Sequence, residues 1–110
     1  MPYDQALADR LRKALGRQPS LTEKEMFGGV GFLIRGNMAC GVHGRELIVR
    51  VGPAAHEAAM TEPHVRPFDL SAGRPAKGWI LVGPAGLKSP TALKKWVKRG
   101  VDFARSLPPK

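Results

Sequence analysis

Apolar positions recur along this chain in two rhythms. Between residues 3 and 15, Leu7, Leu11 and Leu15 return every fourth position, with Ala6, Ala8 and Ala14 among them. That spacing lays one apolar stripe along a helix. Asp4 and Asp9 near its start, and Arg12, Lys13 and Arg17 near its end, suit the helix dipole. Gly16 is placed to cap it, and Pro19 blocks continuation. A longer helix is predicted over Thr91–Leu107. There Leu93, Trp96, Val97, Gly100, Val101, Ala104 and Leu107 share a face, opposite Lys94, Lys95, Lys98, Arg99, Asp102 and Arg105. Ser89-Pro90 suits its first turn and Pro108-Pro109 ends it.

Between these helices the period falls to two. Thr22–Phe27 predicts a short strand with Glu23 and Glu25 facing water, ended by a bulge or tight turn at Gly28-Gly29. Val30–Ile34 follows, with Val30, Phe32 and Ile34 on one face. Arg35-Gly36-Asn37 supplies a turn, with Gly36 and Asn37 expected at positive φ. Met38–His43 runs back, and His43-Gly44-Arg45 turns again. In Glu46–Val51, Leu47, Val49 and Val51 alternate with Glu46, Ile48 and Arg50. Pro53–Met60 predicts a short helix. Thr61–Lys77, with Pro63, Pro67, Gly73 and Pro75, is expected to be mostly loop. Trp79–Val82 predicts a last short strand. The fold class is α+β: an antiparallel meander flanked by N-terminal and C-terminal helices, in the order α-β-β-β(-β)-α-β-α, as a single domain over residues 1–110.

Composition changes this picture little. The chain has 110 residues, 43% hydrophobic and 25% charged, as in an ordinary globular domain. Size scaling lets about two-thirds of the open-chain surface be buried. Met1-Pro2-Tyr3-Asp4 is no signal-peptide start, and the apolar runs are far too short for a membrane span. A cytoplasmic location without membrane contact is the expectation. One cysteine, Cys40, excludes an intrachain disulfide and a multi-cysteine metal site.

Charge matters more. Lys plus Arg number 18 against 9 acids, a net charge of +9. Seven of those cations, against Asp102 alone, lie in residues 88–110. Lys94, Lys95, Lys98, Arg99 and Arg105 form a row suited to a phosphate backbone or an acidic protein partner. The same row also describes a solvated helix face. No aromatic residue alternates with these cations, as single-strand stacking would require. No helix-turn-helix or RNA-recognition signature is present.

Other chemistry finds little footing. Cys40 and His43, three apart on a strand, point to opposite faces and cannot share an ion without a bulge. Cys40 is expected beside Met38 and Val42 as a buried, inert thiol. Gly28-Gly29-Val30-Gly31 precedes a strand, whereas a phosphate loop opens a helix. Ser20, Ser71, Ser89 and Ser106 fall at turns or helix ends, and no close pair of acids serves acid–base work. The expectation is no enzyme, no cofactor and no metal. Trp79 and Trp96 are expected as core anchors.

Three stretches together resemble a known family. They are Met26-Phe27-Gly28-Gly29-Val30-Gly31-Phe32-Leu33-Ile34 continuing through Gly36-Asn37-Met38-Ala39-Cys40-Gly41-Val42, then Leu47-Ile48-Val49-Arg50-Val51-Gly52, then Arg66-Pro67-Phe68 with Lys77-Gly78-Trp79. The chain resembles the N-terminal domain of the TfoX/Sxy family of bacterial competence regulators over nearly its whole length. The resemblance implies an antiparallel sheet flanked by helices and no known catalytic residues. Longer members carry a second, helical C-terminal domain, which a chain ending at Lys110 is expected to lack. It further implies a tie to transcriptional regulation of DNA uptake.

Arg50 is expected to project outward, within reach of Glu46 or another carboxylate, or on a sheet face that meets a partner. The functional expectation is a regulatory or adaptor domain. It would act by protein–protein contact through a sheet face or strand edge, with an unidentified protein partner. The alternative is weak, sequence-independent nucleic-acid binding through the basic helix. Homodimerisation through the same surface stays open.

Overall fold

A computed structural model describes residues 3–26, 28–68 and 77–109. Helix α1 (Gln5–Leu15) starts where Asp4 Oδ1 accepts from the backbone N–H groups of Ala6 and Leu7, at 2.9 and 3.2 Å. It ends at Gly16, with φ +59°. Four strands follow: β1 (Leu21–Met26), β2 (Gly29–Ile34), β3 (Asn37–His43) and β4 (Glu46–Arg50). After a 3-10 turn at Pro53–Ala55 come α2 (His56–Met60), β5 (Val65–Pro67) and β6 (Trp79–Val82). Helix α3 (Pro90–Ser106) starts where Ser89 Oγ accepts from Ala92 N–H at 3.0 Å. No helix among the described residues is long and apolar enough to cross a membrane.

The strands form one antiparallel sheet in the order β1-β2-β3-β4-β6-β5. The α+β meander with a helix at each end is therefore present, with β5 as an additional strand. β5 lies in the stretch expected to be loop. It has three residues, one of them Pro67, and it occupies a sheet edge, where a missing N–H costs no ladder bond. The opposite edge, β1, carries Glu23 and Glu25 towards the helices and Lys24 away from them. Antiparallel pairing of two β1 edges about a two-fold axis would set like charges face to face, which disfavours that route to a dimer.

Both terminal helices lie on the same face of the sheet. Leu7, Ala8, Leu11 and Leu15 of α1 and Leu93, Trp96, Val97, Val101 and Ala104 of α3 join Phe32, Ile34, Val42, Leu47, Val49, Ile80 and Val82 in one core. The other face carries a second cluster of Met38, Ile48, Phe68 and Leu81, packed with Leu33 and Trp79. Its centre is already buried within the chain, so a bare sheet face is not what the strands present.

Two local readings need correction. The β2–β3 hairpin closes through Arg35 (φ +52°) and Gly36 (φ +83°), while Asn37 is the first residue of β3 and is buried. Two successive left-handed residues match the twist of the flanking strands. The register then shifts between Phe32↔Cys40 and Leu33↔Met38, so Ala39 is an extra residue in β3. This bulge turns Cys40 into the helix-side core with Ala39, away from Met38. At this point α3 comes close to the sheet. A Cβ on Gly100 would lie 2.3 Å from the Ala39 carbonyl oxygen, so only glycine allows the approach.

Candidate functional site

The five cations expected on α3 do not form a free row. Arg99 Nη1 bonds Glu62 Oε2 at 2.5 Å, and its guanidinium lies 4.4 Å from the Trp96 ring centroid. Lys95 Nζ is 3.8 Å from the same carboxylate. Lys98 bonds Asp102 one turn away at 2.6 Å. Arg105 Nη2 donates to the Gln18 amide oxygen, and the Arg105 carbonyl accepts from Arg35 Nη2 at 2.8 Å. Of the five, Lys94 alone has no hydrogen bond or ion pair among the described residues.

Lys94 instead lines a groove that needs both helices. One hollow of about 300 Å³ is walled by Arg10, Lys13 and Ala14 of α1 and by Pro90, Leu93 and Lys94. A neighbouring hollow of about 510 Å³ shares Ala14 and Lys94 and continues over Val97 and Val101 to Gln18 and Arg105. The floor is apolar: Ala14, Leu93, Val97 and Val101. The rim is basic: Arg10, Lys13, Lys94, Lys98 and Arg105. Its carboxylate, Asp102, is held by Lys98. Arg10 satisfies itself on a neutral acceptor, the Leu87 carbonyl at 2.5 Å, and has no carboxylate paired with it among the described residues. Reading α3 alone missed Arg10 and Lys13, because their place beside Lys94 follows from helix packing.

Another cleft, of about 460 Å³, lies between α2 and α3 and includes Val51, Ala59 and Phe103. Its charged groups are matched internally, since Glu62 takes both Arg99 and Lys95. It has less unspent charge to offer a ligand than the α1–α3 groove.

Arg50 does not pair with Glu46. That carboxylate is taken by Arg66, whose Nε and Nη2 reach it at 2.7 and 2.6 Å. The Arg50 guanidinium carbon instead lies 4.9 Å from the Trp79 ring centroid and 5.3 Å from that of Phe103. The Gly78 carbonyl accepts from Val51 and Gly52 N–H at 2.8 and 3.1 Å, which holds the ends of β4 and β6 together. A Cβ on Gly52 would meet the Phe103 ring at 2.4 Å, so this glycine is what lets the ring close in. Desolvation lowers the pKa of Arg50 from the usual arginine value. Trp79 is half-buried beside Phe68, whereas Trp96 is a core anchor at 5% exposure.

Cys40 is fully buried, and burial pushes its thiol up to about 12. It lies on the helix side of β3. Among the described residues no three His, Cys, Asp or Glu side chains converge as metal ligands would. Ser89 is a helix cap, and Ser71 lies outside the described residues.

No curated protein and no solved structure is significantly similar to the chain. The family model described as TfoX N-terminal domain matches residues 13–104, from Lys13 on the rim of the α1–α3 groove to Ala104 in the last turns of α3. That span holds β1–β6 and both rings around Arg50, and it supports a regulatory or competence-related role in general terms. The chain belongs to the TfoX N-terminal domain family.

Proposed function

We propose that this chain is a non-enzymatic, cytoplasmic regulatory adaptor domain that works by docking an acidic protein segment in the α1–α3 groove. The observation that carries this reading is the groove itself. Its apolar floor of Ala14, Leu93, Val97 and Val101 is bordered by Arg10, Lys13, Lys94, Lys98 and Arg105. An amphipathic helix with leucines at every third or fourth position and glutamates beside them meets both features at once. A phosphodiester backbone would use only the rim and leave the floor idle. The rim also lacks the aromatic side chains on which unpaired bases stack. The link to competence regulation rests on family membership and is part of the same reading.

Duplex binding remains the second reading, because the rim cations and Lys95 lie on one side of the molecule. The two readings separate by salt and by substitution. A fluorescent acidic amphipathic peptide and a fluorescent 20-base-pair duplex are titrated in parallel by anisotropy. The adaptor reading expects saturable peptide binding that survives physiological salt, since apolar burial is not screened. It expects Lys13→Glu with Lys94→Glu to abolish that binding. Tight duplex binding that falls steeply with salt, beside no peptide binding, contradicts it.

A further inference from the structure

The Arg50 corner lies apart from the α1–α3 groove and presents a different kind of recognition. Arg50 is the last residue of β4, and its cross-strand partner is Trp79 at the start of β6. Phe103 comes from α3 and closes over Gly52. Three elements thus bring two aromatic rings to one guanidinium, at 4.9 and 5.3 Å. Rings attract the cation through its charge but accept none of its in-plane N–H groups. Among the described residues no hydrogen bond or ion pair reaches the Arg50 guanidinium, and Glu46 is engaged by Arg66. The corner is half-buried, and partial desolvation already penalises the bare cation there.

A guanidinium held against two rings, with its donor edge unpaired among the described residues, is complementary to a planar anion approaching in its own plane. We propose that the Arg50 corner is a carboxylate-binding site. A carboxylate forms two parallel charge-assisted hydrogen bonds with such a fork. It also carries the single charge that one guanidinium balances, whereas dianionic phosphate calls for more donors than Arg50 supplies. The carboxylate comes either from a small organic acid or from an Asp or Glu side chain of a partner.

The test follows the Arg50 Nε–H and Trp79 indole N–H signals by NMR while sodium acetate replaces sodium chloride at constant ionic strength. The expected result is a saturable shift of both signals. Arg50→Lys keeps the charge over the rings and loses the fork. It should leave the rest of the spectrum in place and weaken the acetate response at least tenfold. A capped pentapeptide with one glutamate, set beside its glutamine counterpart, distinguishes the sources. Glutamate peptide binding tenfold tighter than acetate assigns the site to a partner side chain, and equal binding assigns it to small acids. No saturable response, an unchanged response in Arg50→Lys, or tighter binding of inorganic phosphate than of acetate overturns the proposal. None of these outcomes alters the reading of the α1–α3 groove, which shares no residue with this corner.

Discussion

The Asn37 side-chain amide donates to the Pro108 carbonyl at 2.8 Å, joining the start of β3 to the chain just beyond α3. Beside it, Arg35 donates to the Arg105 carbonyl at 2.8 Å and places a cation at the negative end of the helix. The β2–β3 hairpin therefore clasps the end of α3 and fixes where Arg105 closes the groove. Asn37 is 2% exposed, so its amide has no water to fall back on. Asn37→Ala should destabilise the fold by about 1–3 kcal/mol, read from urea unfolding. Asn37→Asp should cost more, because it removes the donor and buries a charge. A loss of only a few tenths for the alanine variant would mean that the clasp does not hold α3.

Gly100 controls how closely α3 approaches the sheet. Gly100→Ala places a methyl group against the Ala39 backbone, which has no side-chain freedom to yield. The expected cost is about 1–3 kcal/mol, despite alanine's better helix propensity. Amide shifts should centre on Ala39 and Cys40. A stabilised variant would contradict the close contact.

The buried thiol gives a prediction in pH and in reactivity. Cys40 has a folded pKa of about 12 against an ordinary value of 9.0. Between those values the unfolded chain has lost the proton and the folded chain keeps it. Stability from this group is therefore fully present below pH 9 and falls as pH rises towards 12. Cys40→Ala should remove that part of the alkaline loss, seen as the difference between the two proteins' unfolding curves. At pH 8 the native thiol should be alkylated only as fast as the protein opens.

The Arg12–Glu23 pair looks strong and should contribute little. Glu23 takes both Nε and Nη2 of Arg12 at 2.9 Å, and this hydrogen bonding is the chief reason the Arg12 pKa is raised. Both side chains are about two-fifths exposed, so water and salt compete for them. Glu23→Gln should cost no more than about 1 kcal/mol, and less in high salt. A larger loss would mean that the pair fixes α1 on β1.

The two long helices and five of the strands were legible because their patterns are local. Leu7, Leu11 and Leu15 need only a period of 3.6, and Leu47, Val49 and Val51 only a period of two. β5 was hidden because Val65–Pro67 offers one half-buried apolar residue and a proline. The bulge at Ala39 was hidden because Ala39 and Cys40 are both small and apolar, so alternation cannot show which is inserted. Asn37 read as a turn residue because its partner, Pro108, is far away in sequence. The groove was half visible: Lys94, Lys98 and Arg105 stood out, while Arg10 and Lys13 gained meaning only from α1 packing beside α3. For Arg50 the outward direction was legible. Its neighbours were not, since Phe103 reaches it from a helix and Trp79 from a strand 29 positions later.

The most direct test of the groove is an amide NMR map taken while unlabelled acidic amphipathic peptide is added to labelled protein. The account predicts saturable shifts at Ala14, Leu93, Val97 and Val101, and their loss in the Lys13→Glu, Lys94→Glu double variant. Shifts confined to α2 and its cleft with α3, or no saturable shifts while a duplex perturbs Lys94, Lys95 and Lys98, would contradict it.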